Sequence, residues 1–354
     1  MPERLNDPGF VVKNDPSGLM GLALGFPDQC RKALSLSEKV EIPSEYKGKS
    51  HIVVSGMGGS AAGGDFLRSL MEAESNIPCF VVRDYSIPNF VNKETLFIAC
   101  SYSGNTEETL SATNEALERN ASILAITTGG ELRRLANEKG FPVILLPSGL
   151  PPRMAFGYLF VPMLYTICAL SYLPNAPFEE AFSVLERCRD DWNPEKPLPG
   201  NLTKGLAARL FGRLPIIYGL GSWQGVVSNR WKCQINENAK VMAFANAFPE
   251  LNHNEIVGWT LASRQNVRYW VCVFLESGFE SKKMQIRARV TSDLIRDKTE
   301  LYTVTARGNS LLTQMLTLAY FGDFTSLYLA ALYEVDPARI EAIDKLKTAL
   351  REAH

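Results

Sequence analysis

The sequence predicts an α/β protein made of two mostly parallel sheets, each flanked by helices. Three observations point there. Short apolar runs alternate with charged, periodic segments in two blocks along the 354 residues, the rhythm of strands joined by crossover helices. Two of the runs end in turns suited to an anion, GMGGSAAGGD at Gly56 to Asp65 and SYSGNTEET at Ser101 to Thr109. A stretch rich in proline, NPEKPLPGN, separates the two blocks.

Residues 1–47 carry Gly, Pro and a weakly amphipathic helix around Phe26 to Leu36, and are expected to form an arm on the first domain. That domain is placed at residues 48–192. Its strands are predicted at 51–55 (HIVVS), 79–82, 95–100 (TLFIAC), 122–127 (SILAIT) and 142–146 (PVILL), with helices near 60–73, 106–119 and 130–139. Pro151 and Pro152 close the block, and Arg153 stands at the mouth of a long apolar helix. A helix near Phe178 to Asp191 leads to a linker at 193–201. The second domain, 202–354, has strands predicted at Leu214 to Gly219, Val241 to Ala245, Tyr269 to Leu275 and Leu301 to Thr305, and helices at 222–237, 279–296, 309–333 and 337–352. Gly219 to Ser222 (GLGS) echoes the first glycine turn, but the hydroxyl-rich turn has no counterpart. Only the first domain is therefore expected to grip a phosphate.

Composition narrows the partners. Lys and Arg total 37 against 38 Asp and Glu, so no basic footprint argues for nucleic acid or an anionic membrane, and a small molecule is expected. The seven cysteines include no C-x-x-C pair, which fits reduced, packed thiols in a cytoplasm. The amino-terminal MPERLNDPGF lacks an apolar core, so no secretory signal is expected. Two uncharged segments, Met154 to Phe178 and Asn309 to Gly322, are read as buried helices rather than membrane spans.

In SYSGNTEET, Asn105 and Glu108 have the spacing of a capping box, which predicts a helix start there, its free N–H groups turned toward Ser101, Ser103 and Thr106. An anion would meet those donors and the positive end of the helix. A polar loop with a good N-cap suits the same residues. In GMGGSAAGGD the glycines let the backbone turn sharply and approach a ligand, with Ser60 at the start of a helix. The two turns would lie side by side at the carboxyl ends of a parallel sheet, where open α/β folds bind ligands. Gly56-x-Gly58-x-x-Ala61 also meets a loose dinucleotide fingerprint, which keeps an NAD(P)-dependent oxidoreductase as an alternative. The acid expected about 20 residues later is not clear, since Asp84 is late and follows Arg83.

Histidine is scarce. His51, His253 and His354 form no H-x-H or H-x-x-x-H pair, so a histidine-rich metal site is not expected. His253, in PELNHNE, is the one placed for proton transfer near neutral pH, or else simply faces solvent. Arg230, Gln234 and Glu237 recur at i, i+4 and i+7 on one helix face, which is either a functional polar face or the solvated side. Asp336-Pro337 is predicted to cap and begin the last helix, with Ile340, Ile343, Leu346 and Leu350 as its apolar stripe.

GMGGSAAGGD together with SYSGNTEET resembles the sugar isomerase (SIS) domain, which binds phosphorylated sugars. PPRMAFGYL, RWKCQINENAK, PELNHNEIVGW and the terminal IDKLK narrow the resemblance to the bifunctional phosphoglucose/phosphomannose isomerase family, from about Gly18 onward. It implies two SIS-type domains and a metal-independent aldose–ketose isomerase, without cofactor, interconverting glucose 6-phosphate and mannose 6-phosphate with fructose 6-phosphate through a cis-enediol. By the same matching, Glu237 is the base that moves the proton between C1 and C2, His253 and Lys347 open the ring, and Arg153 stabilises the enediolate. Ser101, Ser103 and Thr106 anchor the phosphate, with Gly58, Gly59 and Ser60 lining the same cleft. Position 345, commonly aromatic in the family, is a lysine, so Lys345 and Lys347 both stand as candidates to face the pocket. The resemblance also implies a cytoplasmic homodimer whose active sites are shared, the histidine coming from the partner chain. A non-catalytic sugar-phosphate-binding SIS protein is a further alternative, and it leaves Glu237 and His253 without a role.

Overall fold

The computed structural model of the chain describes residues 2–352, without the side chains of residues 347, 350 and 351. It divides into two compact units. One holds residues 25–186 and 307–316 around the first sheet; the other holds the residues up to Leu24, 187–306 and those from Thr317 onward around the second.

The opening helices α1 (Pro8–Lys13) and α2 (Leu19–Leu24) belong to the second-sheet unit, not to the first domain where the sequence places an arm. Burial explains the difference, because Leu5, Phe10, Val11, Leu19 and Met20 are all packed away from water. The Tyr320 hydroxyl donates to the Ala23 carbonyl at 2.8 Å, Arg4 pairs with Glu334, and Leu198 N–H donates to Asn6 Oδ1 at 2.7 Å.

The first-sheet unit runs α3 (Phe26–Ser37), β1 (His51–Ser55), α4 (Gly58–Glu74), β2 (Cys79–Val82), β3 (Thr95–Cys100), α5 (Glu107–Glu118), β4 (Ser122–Thr127), α6 (Gly130–Lys139), β5 (Val143–Leu145) and α7 (Phe156–Ala169), and takes in most of α8 (Phe178–Trp192). All five strands are parallel, in the order β2-β1-β3-β4-β5. Every residue of β3 is buried, as a central parallel strand covered on both faces requires, and this is why it reads as an unbroken apolar run. Val53, Phe97, Ala99, Ile123 and Ala125 pack on one face against Ala112, Ala116, Leu132 and Ala136. Helices α4 and α7 approach closely because Gly63 carries no side chain; a Cβ there would lie 3.4 Å from Phe160 Cα.

The second-sheet unit continues with α9 (Leu202–Leu210), β6 (Leu214–Gly219), α10 (Ser222–Gln234), a π-helical turn (Ile235–Ala239), β7 (Phe244–Ala247), α11 (Glu255–Gly258), β8 (Trp270–Glu276), α12 (Lys282–Ile295) and β9 (Glu300–Thr305). Its strands are again parallel, in the order β7-β6-β8-β9. The stretch at 193–201 is fixed onto α9: Asn201 caps that helix, and the buried Lys204 donates to the carbonyls of Pro194 (2.6 Å) and Lys196 (2.8 Å). Helix α13 (Leu311–Leu332) is long and apolar enough to cross a membrane, yet its most apolar window is wholly buried in the protein. Helix α14 (Glu341–Glu352) starts four residues later than Asp336-Pro337 predicts. Asp336 Oδ1 instead accepts from Ala338 N–H at 2.9 Å in a separate turn, and Ile343 and Leu346 of the expected apolar stripe are exposed.

Candidate active site

The first-sheet unit brings its predicted residues together at the carboxyl ends of β1 and β3. Gly56 follows β1 so closely packed that a Cβ would lie 2.9 Å from the Cys100 carbonyl, which sets the glycine turn against the end of β3. Gly58, in the left-handed region at φ 51, opens α4, and the N-cap residue Met57 supplies no side-chain acceptor. Ser60 lies buried in that first turn, its hydroxyl on the Cys100 thiol, and burial pushes that thiol up to about 12. A Cβ on Gly59 would lie 2.8 Å from the Pro152 carbonyl, so this turn also abuts the 3-10 turn Pro152–Met154 that carries Arg153. Arg153 is 5% exposed, not a solvated helix-entry arginine.

The hydroxyl-rich turn differs from the capping box that Asn105 and Glu108 predict. Helix α5 begins at Glu107 with Thr106 as N-cap, and no side chain caps its first turn. Thr106 Oγ1 pairs instead with the buried Ser101 Oγ at 2.8 Å, which also accepts from Gly104 N–H at 3.1 Å. Asn105 turns away to accept from Glu131 N–H at 2.9 Å. The competing contact is tertiary: Gly104, at φ 73, packs so tightly that a Cβ would overlap the Gly129 carbonyl, and its own carbonyl accepts from Leu132 N–H at 2.9 Å. The result is an uncapped helix start beside the buried hydroxyl of Ser101, the half-buried one of Thr106 and the exposed one of Ser103, an arrangement able to receive an anion.

Two side chains that sequence reasoning missed hold this region. The Tyr102 hydroxyl donates to the Pro147 carbonyl at 2.8 Å and accepts from Leu150 N–H at 3.1 Å, tying the hydroxyl-rich turn to the loop before Arg153. Gln29 donates to the Met154 carbonyl at 2.9 Å, and its Oε1 accepts from Gly157 N–H at 2.7 Å at the start of α7. Tyr102 lay inside a motif already singled out; Gln29 had no local signal at all.

In the second-sheet unit the polar face of α10 is buried. Arg230 and Gln234 both reach Asp323 of α13, and Asn238 Nδ2 donates to Ser326 Oγ at 2.9 Å. Asn238, not Glu237, therefore continues the stripe, because the π-helical turn inserts the extra residue that shifts the register. Glu237 is half-buried and lines a cavity of about 770 Å³ together with Lys13, Asn14, Lys240, Asp336 and Ile343. His253 ends the 3-10 turn Glu250–His253, is exposed, and does not line that cavity. Its segment is anchored by Glu255, which accepts from the Tyr218 hydroxyl and from Asn246 Nδ2. Trp259 Nε1 donates to the same tyrosine oxygen at 3.1 Å. The Lys347 side chain lies outside the described residues; Lys345 is exposed on α14.

A half-buried carboxylate on the wall of a roomy cavity can accept and return a proton, and an uncapped helix start lined with hydroxyls can hold a phosphate ester. Residues 45–139 match the SIS domain family, and residues 200–350 match the family described as bacterial phospho-glucose isomerase C-terminal SIS domain. A bifunctional phosphoglucose/phosphomannose isomerase of Caldicellulosiruptor bescii is 42% identical, covering 92% of this chain and 97% of its own length. One of Thermoplasma volcanium is 37% identical, over 89% and 96%. Among solved structures, a glucose-6-phosphate isomerase like protein from Thermus thermophilus aligns with a TM-score of 0.61 at 20% identity, over 95% and 98%. The C-terminal domain of glucosamine-fructose-6-phosphate aminotransferase from Francisella tularensis aligns with a TM-score of 0.70 at 13% identity, over 91% and 98%, and both share the fold. With relatives this similar over nearly their full length, and SIS matches in both halves, the chain is an isomerase that belongs to the bifunctional phosphoglucose/phosphomannose isomerase family.

Proposed function

We propose that the protein interconverts glucose 6-phosphate and mannose 6-phosphate with fructose 6-phosphate through a cis-enediol, without a metal ion. The observation that carries the reading is Glu237, half-buried on a π-helical turn at the wall of a cavity of about 770 Å³, on the residue that the family resemblance makes the base. The ester phosphate is assigned to Ser101, Ser103, Thr106 and the open first turn of α5, with Gly58, Gly59 and Ser60 lining the same cleft. Binding the non-reacting end of the sugar makes proton abstraction at the other end an intramolecular step.

In the open-chain aldose, Glu237 removes the proton on C2. The electron pair of that C–H bond becomes the C1–C2 double bond, and the C1 carbonyl oxygen takes a proton, giving the enediol. Loss of the proton on O2 and return of the carried proton to C1 give the ketose. Both aldoses lose their C2 stereochemistry in the same planar intermediate, so one base serves both. Arg153 is assigned to the developing negative charge on oxygen, where a fixed cation acts mostly in the transition state. Ring opening is assigned to Lys347 and to His253 of the partner subunit in a homodimer. The exposure of His253 outside the Glu237 cavity supports that division. Three histidines without paired spacing support a reaction that needs no histidine-bound metal.

The test is a coupled assay of fructose 6-phosphate formation from each aldose with EDTA present, comparing wild type with Glu237→Gln. Turnover that survives EDTA and falls by about 10³-fold in the variant is expected. An unimpaired variant removes Glu237 from the chemistry, and wild-type turnover abolished by EDTA removes the metal-free reaction. Saturable binding of NAD with no isomerisation would favour an oxidoreductase instead.

A further inference from the structure

The run Asn236-Glu237-Asn238-Ala239-Lys240 ends in a lysine whose backbone is left-handed, at φ 59 and ψ 31. An L-residue adopts that conformation only where its surroundings hold it there. The side chain of this one reaches back over the turn. Lys240 Nζ donates to the carbonyls of Glu237 (2.9 Å), Asn238 (3.2 Å), Asp336 (2.8 Å) and Pro337 (3.0 Å). Three ammonium protons thus serve four carbonyls from two separate segments.

The first pair of carbonyls closes the π-helical turn. A helix end leaves such oxygens without intrahelical donors, and a cation there also meets the negative end of α10. The second pair begins the junction that leads into α14. That junction is also touched by Ser17, whose hydroxyl donates to Asp336 Oδ2 at 3.3 Å. Beyond it, residues 341–346 of α14 are exposed. Yet Glu237 and residues 339–343 line one and the same cavity. The ammonium is where the turn bearing the base and the base of the carboxy-terminal helix are tied together.

We propose that Lys240 is a positioning residue for the proton transfer: it sets the backbone of Glu237 and, through Asp336 and Pro337, the placement of α14 beside it. The inference rests on the isomerase reading above. Losing the ammonium frees the carbonyls on both sides, so the carboxylate and the helix drift independently. A misplacement of about 1 Å at a reacting group costs on the order of 10²-fold in rate.

The experiment compares wild type, Lys240→Met and Lys240→Arg in steady-state kinetics with each aldose, alongside amide hydrogen exchange. In Lys240→Met, kcat is expected to fall about 10- to 100-fold while KM changes by less than about 3-fold, with faster exchange across residues 336–346. Lys240→Arg, which keeps a cation with several donors, is expected to recover most of kcat. A folded Lys240→Met variant with kcat within about twofold of wild type overturns the proposal, as does exchange at 336–346 that is unchanged. Should Lys240→Met fail to fold, Lys240→Gln keeps two donors without the charge, and wild-type kcat in that variant overturns it equally. An inactive wild type, or a fully active Glu237→Gln, would instead defeat the isomerase reading, and the exchange arm alone then decides whether Lys240 ties the two segments.

Discussion

One terminal guanidinium nitrogen of Arg230 donates to both carboxylate oxygens of Asp323, at 3.1 and 2.8 Å, in a seam where the two side chains are 4% and 8% exposed. Gln234 Nε2 adds a third hydrogen bond at 2.7 Å. Taking both charges out of water is costly, so the pair is held by its geometry more than it stabilises the fold. Removing one partner is a different matter. Asp323→Ala is expected to destabilise the protein by about 3–5 kcal/mol, because Arg230 is left charged and buried. The double change Arg230→Met with Asp323→Leu is expected to recover most of that loss. Urea unfolding of the three proteins checks both statements, and equal losses in the single and double variants would contradict them.

Tyr102 offers a test of how the loop before Arg153 is held. Tyr102→Phe keeps the buried ring and deletes the oxygen that serves Pro147 and Leu150. Stability is expected to fall by about 1 kcal/mol, the cost of leaving a part-buried N–H without its partner. Because Arg153 sits three residues beyond Leu150 and is assigned to the transition state, kcat is expected to fall several-fold with KM little changed. A variant less stable but kinetically normal would separate the loop from the chemistry.

The proposed use of a partner subunit's His253 makes turnover depend on concentration. Specific activity is expected to collapse when the enzyme is diluted below the dimer dissociation constant. His253→Ala mixed with Glu237→Gln is expected to regain part of the activity each lacks, since a mixed dimer then holds one intact pair. Constant activity per chain in a demonstrated monomer would contradict a shared site.

Burial also fixes how the protein answers alkali. The thiols of Cys79 and Cys100 are pushed from 9.0 up to about 12 by burial, and those of Cys30 and Cys272 rise further for the same reason. In the unfolded chain these thiols lose their protons near 9, whereas in the folded chain they keep them. The unfolded state therefore binds fewer protons above pH 9, and stability falls as pH rises from there. Each such thiol contributes about 1.4 kcal/mol per pH unit up to its folded value. Lys204, lowered to about 8 by burial, works in the opposite sense from that pH up to 10.5 and offsets about one of the four thiols. A urea midpoint that declines steeply between pH 9 and 10.5 is expected, and a flat one would show that these thiols are accessible in the folded state.

The strands were legible because a parallel sheet covered on both faces needs β-branched and apolar residues in short unbroken runs. HIVVS, TLFIAC and SILAIT mark β1, β3 and β4 to the residue. Helix beginnings were less legible wherever a tertiary contact competes with a local one. Asn105 has the spacing of a cap, but it serves the start of α6, and Asp336 has the chemistry of a cap, but it closes a turn of its own. The fate of residues up to Leu24 was illegible for the same reason. Their apolar side chains state that they must be buried, and partners distant in sequence, among them Tyr320, Glu334, Leu198 and Asp336, state where. The position of Glu237 was legible through its motif, whereas the inserted residue that turns it off the Arg230 stripe leaves no periodic signal.

That inserted residue separates two demands which an unbroken α-helix would force on the same positions. Packing against α13 uses Arg230, Gln234 and Asn238, while the turn sets Glu237 on the cavity wall. Winding Ile235–Ala239 as regular α-helix, with no residue removed, would bring Glu237 at i+7 onto the face of Arg230 and Gln234. The helix would then be more regular, with the acid turned toward α13 and away from the cavity wall.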